Sequence, residues 1–237
     1  MVSTNFDIQL QKMAQMTPKV LAVIPARGGS KGFKKKNIAL LGDKPLLAWS
    51  IEASLASKYI TKTFVSSDDD TILSIAKEYG ANTIKRPSEF ATDEASSQSV
   101  VLHLLQEIHE EFEYVVLLQP TSPLRDTQEI DTAFEKLFTC DASALISVVE
   151  YDNKILKAFV QKDGFLQGIA NNKYPFMRRQ DLPPTYMSNG AIYIIKVEEF
   201  LQHESFFTQK SIPHIMDEIK SIDIDTPQDL ERVQYYI

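Results

Sequence analysis

Val20-Leu21-Ala22-Val23-Ile24 runs directly into Pro25-Ala26-Arg27-Gly28-Gly29-Ser30-Lys31-Gly32. The first five residues form an unbroken apolar run, the pattern of a strand buried in a parallel sheet. The stretch after them is rich in glycine and positive charge. Glycines let a chain turn tightly and approach a ligand with no Cβ in the way. Successive amides in such a turn can form an anion-binding concavity. From Pro25 to Ile38 the loop carries Arg27, Lys31, Lys34, Lys35 and Lys36 and no acidic residue, on a chain whose net charge is −7. A solvated lysine-rich loop is the plainer reading. A basic island on an acidic chain, placed at a strand end, instead suits a polyphosphate. The spacing is not that of a Walker A loop, which needs four residues between its first Gly and Gly-Lys-Ser/Thr, nor of the dinucleotide G-x-G-x-x-G.

Working outward, apolar runs alternate with segments of helical period. Pro45–Leu55 reads as a helix opened by proline. Thr63–Ser67 reads as a strand that ends in the helix-start signal Asp68-Asp69-Asp70, and Gly80 closes the helix after it. Ala81–Lys85 is a further strand, residues 96–112 a helix, Tyr114–Gln119 a strongly apolar strand, Thr127–Phe138 a helix and Ala144–Val149 a strand. The alternation predicts a three-layer α/β fold, Rossmann-like, with a mostly parallel sheet. Ligands of such sheets sit outside the carboxyl ends of the strands. Arg27–Gly32, Ser66–Asp68 and Gln119–Arg125 all lie just after strand ends.

The alternation lapses between Asp152 and Pro184, where Phe159–Leu166 reads as a hairpin around Asp163-Gly164. We read about 152–186 as an inserted subdomain. The main sheet resumes at Gly190–Ile195, and a last helix runs from Pro227 to Tyr236. The organisation expected is an N-terminal extension over 1–18 and one domain over 19–237. No apolar stretch reaches the ~20 residues of a membrane span. The first residues lack the apolar core of a secretory signal. The lone Cys140 has no intrachain partner and fits a reducing cytoplasm. The acidic balance argues against a nucleic-acid surface.

Three constellations carry chemistry. Gln119-Pro120-Thr121-Ser122-Pro123-Leu124-Arg125 is a turn stiffened by two prolines. A turn alone explains the prolines but not Gln119 and Arg125, so ligand contact is expected. Ser221-Ile222-Asp223-Ile224-Asp225-Thr226-Pro227 sets two carboxylates at i and i+2, on one face of an extended segment. Two hard oxygens beside a polyphosphate suit Mg²⁺. Capping of the following helix would equally explain Asp225, and the pair alone leaves both readings open. Arg86 lies just after a strand, and Arg178-Arg179 lies in the insertion; both places also suit ordinary surface ion pairs. His103, His109, His203 and His214 show no metal-ligand spacing, and His103 and His109 read as surface residues.

Taken together, IPARGGSKG with KKKNI, SSDDD, RPSEFATDEASS, LLQPTSPLR, SNGAIYI and IDIDTP resemble the acylneuraminate cytidylyltransferase family, which includes the bacterial CMP-nonulosonic acid synthetases. The islands run in matching order from Ile24 to Pro227. The resemblance implies a Mg²⁺-dependent nucleotidyltransferase in which CTP and an acid sugar give a CMP-sugar and pyrophosphate. Arg27, Lys36, Asp223 and Asp225 would be catalytic. Ala26, Arg27, Gly28, Gly29, Ser30, Lys36, Asn37, Arg86 and Ser97 would meet the nucleotide. Gln119, Asn189 and Tyr193 would line the sugar pocket, where Arg179, with Lys157 of the partner subunit, would meet the sugar carboxylate. Asp223 and Asp225 would bind the metal, and the insertion would pair two chains into a homodimer. Phe33-Lys34-Lys35 and Met187 depart from what family members often carry, which leaves the acceptor open among nine-carbon acids. A Kdo or sugar-phosphate enzyme, or a non-catalytic CTP-binding protein, are the rivals.

Overall fold

The computed structural model describes residues 18–29, 32–92 and 95–237. The expected N-terminal extension therefore lies almost wholly outside the described residues, and so does Ser30. Among the described residues, β1 (Val20–Pro25), β4 (Lys62–Ser67), β5 (Asn82–Lys85), β6 (Tyr114–Leu117), β7 (Ala144–Tyr151), β10 (Thr185–Lys196) and β11 (Ser211–Ile215) build the central sheet. Their order is β11-β7-β10-β6-β1-β4-β5. The pairings β1–β4, β4–β5, β1–β6 and β7–β11 are parallel, while β10 runs antiparallel to both its neighbours.

Alternate residues of β1 feed two separate cores. Val20, Ala22 and Ile24 face one side with α1 (Leu46–Leu55), α2 (Asp70–Glu78) and α4 (Thr127–Thr139). Leu21 and Val23 face the other with α3 (Ser97–Glu107) and α5 (Val197–His203). Two buried faces explain why the strand reads as an unbroken apolar run. A third small core forms from Leu41, Leu46, Ile222, Ile224 and Val233. It docks the tail and α6 (Pro227–Val233) beside the ribbon β2 (Leu40–Leu41) and β3 (Lys44–Pro45).

The insertion stands apart from this sheet. β8 (Phe159–Lys162) and β9 (Phe165–Gly168) pair only with each other. Asp163 and Gly164 both adopt positive φ (53° and 84°), as the tightest hairpin turn requires. β11 escapes the sequence reading because Pro213 interrupts its pattern. It is an edge strand, where a missing N–H is tolerated.

Candidate active site

The connections leaving β1 and β6 diverge. From β1 the sheet grows towards β4 and β5; after β6 it grows towards β10, β7 and β11. Adjacent strands whose connections part in this way open a crevice at their carboxyl ends. The glycine-rich loop and the Gln119–Arg125 turn both start there. The Ala26 amide donates to the Ser66 carbonyl at 2.9 Å, which carries the β1–β4 ladder one step past the strand. The Gly28 amide donates to Asp68 Oδ1 at 2.9 Å. A Cβ on Gly28 would lie 2.8 Å from the Asp69 side chain, so this position needs glycine for close approach. At Gly29 a Cβ would meet nothing. The expectation that the Gly28 amide faces a phosphate is thus not what the geometry offers: Asp68 already holds that N–H.

A cavity of about 240 Å³ opens here, lined by Arg27, Lys36, Asn37, Arg86, Ser97, Gln119 and Thr121 among others. The sequence predictions for Arg27, Lys36, Asn37, Arg86, Ser97 and Gln119 therefore converge in space. Asn37 is buried, and its Nδ2 donates to the Arg27 carbonyl at 2.9 Å, fixing the loop. Gln119 Nε2 donates to Ser97 Oγ at 3.2 Å across the crevice, at the start of α3. Arg86 is 5% exposed, and its Nε has no partner within the described residues. Burial lowers its pKa, Arg27 nearby adds repulsion and Asp68 opposes both. A buried guanidinium with an unused donor is a receptor for an anionic or carbonyl oxygen.

The carboxylates arrive from the other end of the chain. Ile222 and Ile224 are buried in the third core, so the alternating Asp223 and Asp225 turn outward. The Ile224 amide donates to the Thr121 carbonyl at 2.8 Å, which straps this segment to the turn after β6. Lys36 Nζ lies 3.0 Å from Asp225 Oδ1. Asp225 is not the cap of the following helix. Thr226 caps α6, with Asp229 returning the bond in a capping box. That removes helix capping as the explanation for Asp225. Asp223 is exposed as a residue, yet its carboxyl is crowded enough that desolvation raises its pKa. A Thr121 hydrogen bond opposes the rise and the nearby Asp225 reinforces it.

No group of three or more His, Cys, Asp or Glu that could hold a metal exists among the described residues. Mg²⁺ does not need such a group. That ion takes one or two carboxylates and completes its shell with water and phosphate oxygens. Two adjacent carboxylates, one pushed upward by its neighbour and by lost hydration, form a donor set that a small hard cation relieves. The residues fit.

Other expected site residues lie elsewhere. Asn189 is 8% exposed and its amide is spent inside the protein. Its Oδ1 accepts from Ser147 Oγ at 2.6 Å and from the Ala191 amide at 3.2 Å. Its Nδ2 donates to Ser221 Oγ at 2.9 Å and to Met216 Sδ at 3.3 Å. Tyr193 is half-buried, stacks on Phe206 and shares a 2.8 Å hydrogen bond with Ser188 Oγ. Arg179 pairs with Asp152 at 3.4 Å and lines a different cavity, of about 540 Å³, on the insertion. Lys157 lies half-buried at the end of a short 3-10 turn of the insertion. Within one chain neither reaches the cavity above β1 and β6.

Arg125 and His103 correct the sequence reading. Arg125 is fully buried, and burial pushes its pKa down to about 10. Its Nη2 donates to Ser50 Oγ at 2.6 Å and to the Gln119 carbonyl at 3.4 Å. Through Nη2 it braces the turn from beneath, while its Nε and Nη1 have no partner among the described residues. His103 is 9% exposed and packs on Phe90, with ring centroids 5.2 Å apart. It shares the buried face of α3 with Val100, Val101 and Leu104, so the reading of it as a surface residue is overturned. Asp68, Thr121 and Ser221 were missed as working residues. All three belong to the motifs read from sequence, and only their contacts distinguish them.

The fold and crevice define a doubly wound α/β protein with a cationic, carboxylate-edged ligand site. The sequence matches the family described as Cytidylyltransferase over residues 21–236, and the chain belongs to it. It is 38% identical over 217 residues to the N-acylneuraminate cytidylyltransferase of Escherichia coli O18:K1:H7 (strain RS218 / NMEC), covering 91% of this chain and 51% of that protein. It is 33% identical over 217 residues to the pseudaminic acid cytidylyltransferase of Campylobacter jejuni subsp. jejuni serotype O:2, covering 90% of this chain and 94% of that one. The chain thus spans about half the length of the first relative and nearly all of the second. Among solved structures, CMP:2-keto-3-deoxy-manno-octonic acid synthetase complexed with CTP superposes with a TM-score of 0.69 at 16% identity, over 92% of this chain and 98% of that one. At that identity the likeness speaks for the fold.

Proposed function

We propose that this chain transfers a cytidylyl group from CTP to the anomeric hydroxyl of a nine-carbon α-keto acid sugar. The hydroxyl oxygen forms a bond to the α-phosphorus, the bond from that phosphorus to the bridging oxygen breaks, and pyrophosphate leaves in line. One observation carries the reading: Lys36 Nζ and Asp225 Oδ1 meet at 3.0 Å beside a cavity lined by Arg27, Arg86 and Gln119. Cations from the front of the chain and carboxylates from its tail address one point.

Arg27 and Lys36 supply fixed positive charge where charge builds on the phosphates, the dominant contribution in phosphoryl-type chemistry. Arg86, with its unused Nε donor, takes a nucleotide oxygen. Gln119, already spanning to Ser97, presents its amide to the sugar. Asp223 and Asp225 would hold Mg²⁺, which when bound supplies charge neutralisation at phosphate oxygens. Asp223 is the candidate acceptor of the hydroxyl proton. The names of the relatives favour nonulosonic acids as acceptors. We assign a cytoplasmic location on the use of CTP; separately, among the described residues no helix is long and apolar enough to cross a membrane.

We also assign a homodimer. The insertion exposes Phe159, Val160, Phe165, Leu166 and Phe176, at 44%, 43%, 78%, 72% and 84%. An isolated two-stranded hairpin is marginal in water, and so large an apolar display on it calls for cover. A second copy would bring Arg179 and Lys157 of the partner subunit towards the sugar.

The test is pyrophosphate release across CTP, ATP, GTP and UTP, each with N-acetylneuraminic, legionaminic, pseudaminic and Kdo acids and a neutral sugar phosphate. Release with CTP and a nine-carbon acid alone is expected. Release with Kdo or a sugar phosphate in preference, or CTP binding without turnover on any acceptor, overturns the assignment.

A further inference from the structure

Asn189 is a residue whose observed contacts do not match a ligand-binding role. It sits where β10 breaks register between Ser188 and Tyr193, next to Gly190 at φ 79°. The irregularity turns the Asn189 amide inward, into a buried polar node. Ser147 Oγ, fully buried, donates to Asn189 Oδ1 and accepts from the Ile192 amide at 2.7 Å. Asn189 Nδ2 reaches out of this node to Ser221 Oγ, two residues before Asp223. An asparagine can accept twice and donate twice, and here all of that capacity is used within the protein.

The segment it holds is otherwise seated by its own turn, with the Ser221 amide on the Asp217 carbonyl at 3.0 Å and the Ile222 amide on the Ile219 carbonyl at 3.2 Å, and by the third core. Residues 221–225 belong to no strand. Two buried isoleucines seat them on the third core, and the Ile224 amide ties to Thr121. Upstream, Lys220 Nζ is held by Asp126 Oδ2 at 2.8 Å and Glu129 Oε1 at 2.9 Å. Between Lys220 and Ile224, the Asn189–Ser221 bond is, among the described residues, the side-chain hydrogen bond that links the segment to the central sheet.

We propose that Asn189 is a positioning residue: acting through Ser221, it fixes the carboxylate segment Asp223–Asp225 against the sheet. This rests on the reading of those two carboxylates as the cation-holding pair. Partners of that kind, one step behind the ligands, commonly change metal affinity by about 10–100-fold when removed.

The cleanest variant is Ser221→Ala, because it leaves the Asn189 bonds to Ser147 and Ala191 in place. Two readouts are taken on the whole chain. Hydrogen exchange tracks the Ile222 and Ile224 amides without nucleotide, and Mn²⁺ affinity is measured by electron paramagnetic resonance in the presence of a non-hydrolysable CTP analogue. Ser221→Ala is expected to speed exchange at both amides about tenfold, to leave β1 and β6 amides unchanged, and to weaken Mn²⁺ binding by about tenfold. Ser221→Thr, which restores the hydroxyl, should return both towards wild type. Wild-type exchange in Ser221→Ala overturns the proposal. So does faster exchange with unchanged Mn²⁺ affinity, provided Asp225→Ala abolishes that binding. If Asp225→Ala leaves Mn²⁺ binding intact, the cation reading itself is wrong and the proposal falls with it.

Discussion

The crevice above β1 and β6 and the inserted hairpin differ in how completely one chain finishes them. In the crevice almost every polar group is used: Asn37 holds Arg27, Asp68 holds Gly28, Gln119 spans to Ser97, and Arg125 braces the turn from below. Among the described residues the Arg86 Nε donor has no partner, and Asp223 and Asp225 are held only by Thr121 and Lys36, which leaves them the groups a nucleotide and a cation would use. The hairpin is the reverse. Its two strands pair with each other around a tight turn, yet its side chains leave aromatic surface in water. A region unfinished in polar groups asks for a small charged ligand; a region unfinished in apolar area asks for another protein surface.

The contrast can be broken first at the hairpin. Replacing Phe165, 78% exposed, by Ser should leave the thermal transition of the sheet nearly unchanged. Surface substitutions of this kind usually stay within about 0.5 kcal/mol. Self-association should instead weaken by about 1.5–3 kcal/mol for each of the two chains, or roughly 100-fold or more in dissociation constant. Sedimentation across a concentration series reads it directly. A wild-type chain that sediments as a monomer at every concentration would remove the contrast.

A smaller effect sharpens the other side. Glu129 sits between His214 Nε2 at 2.8 Å and Lys220 Nζ at 2.9 Å, behind the carboxylate segment. The His214 hydrogen bond foremost, then Lys220, draws its pKa from 4.5 down to about 2, against the desolvation that opposes the drop. A depressed carboxylate pKa stabilises the folded chain above its unfolded value. The contribution is therefore complete above about pH 4.5 and is lost as the pH falls towards 2. Allowing for partial exposure, it is about 2 kcal/mol. Acid titration of the melting temperature should show a shallower fall between those pH values in Glu129→Gln than in wild type. Parallel curves would mean that the pair contributes nothing.

Much of this is readable in the sequence. The apolar run of β1, the Asp-Gly hairpin and the helix start at Asp69 are local patterns that survive into structure, whereas the cap of the last helix, open to Asp225 in the sequence, falls on Thr226. What escapes is what only topology decides. β10 pairs antiparallel with β6, and no alternation of residues encodes that direction. His103 reads as exposed because it is polar, yet it shares the buried face of α3 with Val100, Val101 and Leu104. Arg125 and Asn189 carry the chemistry of ligand residues, and only their contacts show one bracing a turn and the other anchoring the tail. In the same way the carboxylate pair is spelled out in sequence, while the meeting of Asp225 with Lys36, 189 residues away, is not.

The central claim is that the front of the chain and its tail converge on one triphosphate. The most direct measurement is a crystal structure of the chain with a non-hydrolysable CTP analogue and Mn²⁺, located by its anomalous signal. The triphosphate is expected between Arg27 and Lys36, with manganese on Asp223 and Asp225 and the Lys36–Asp225 ion pair parted. Nucleotide seated in the cavity beside Arg179, or manganese bound away from both carboxylates, would contradict it.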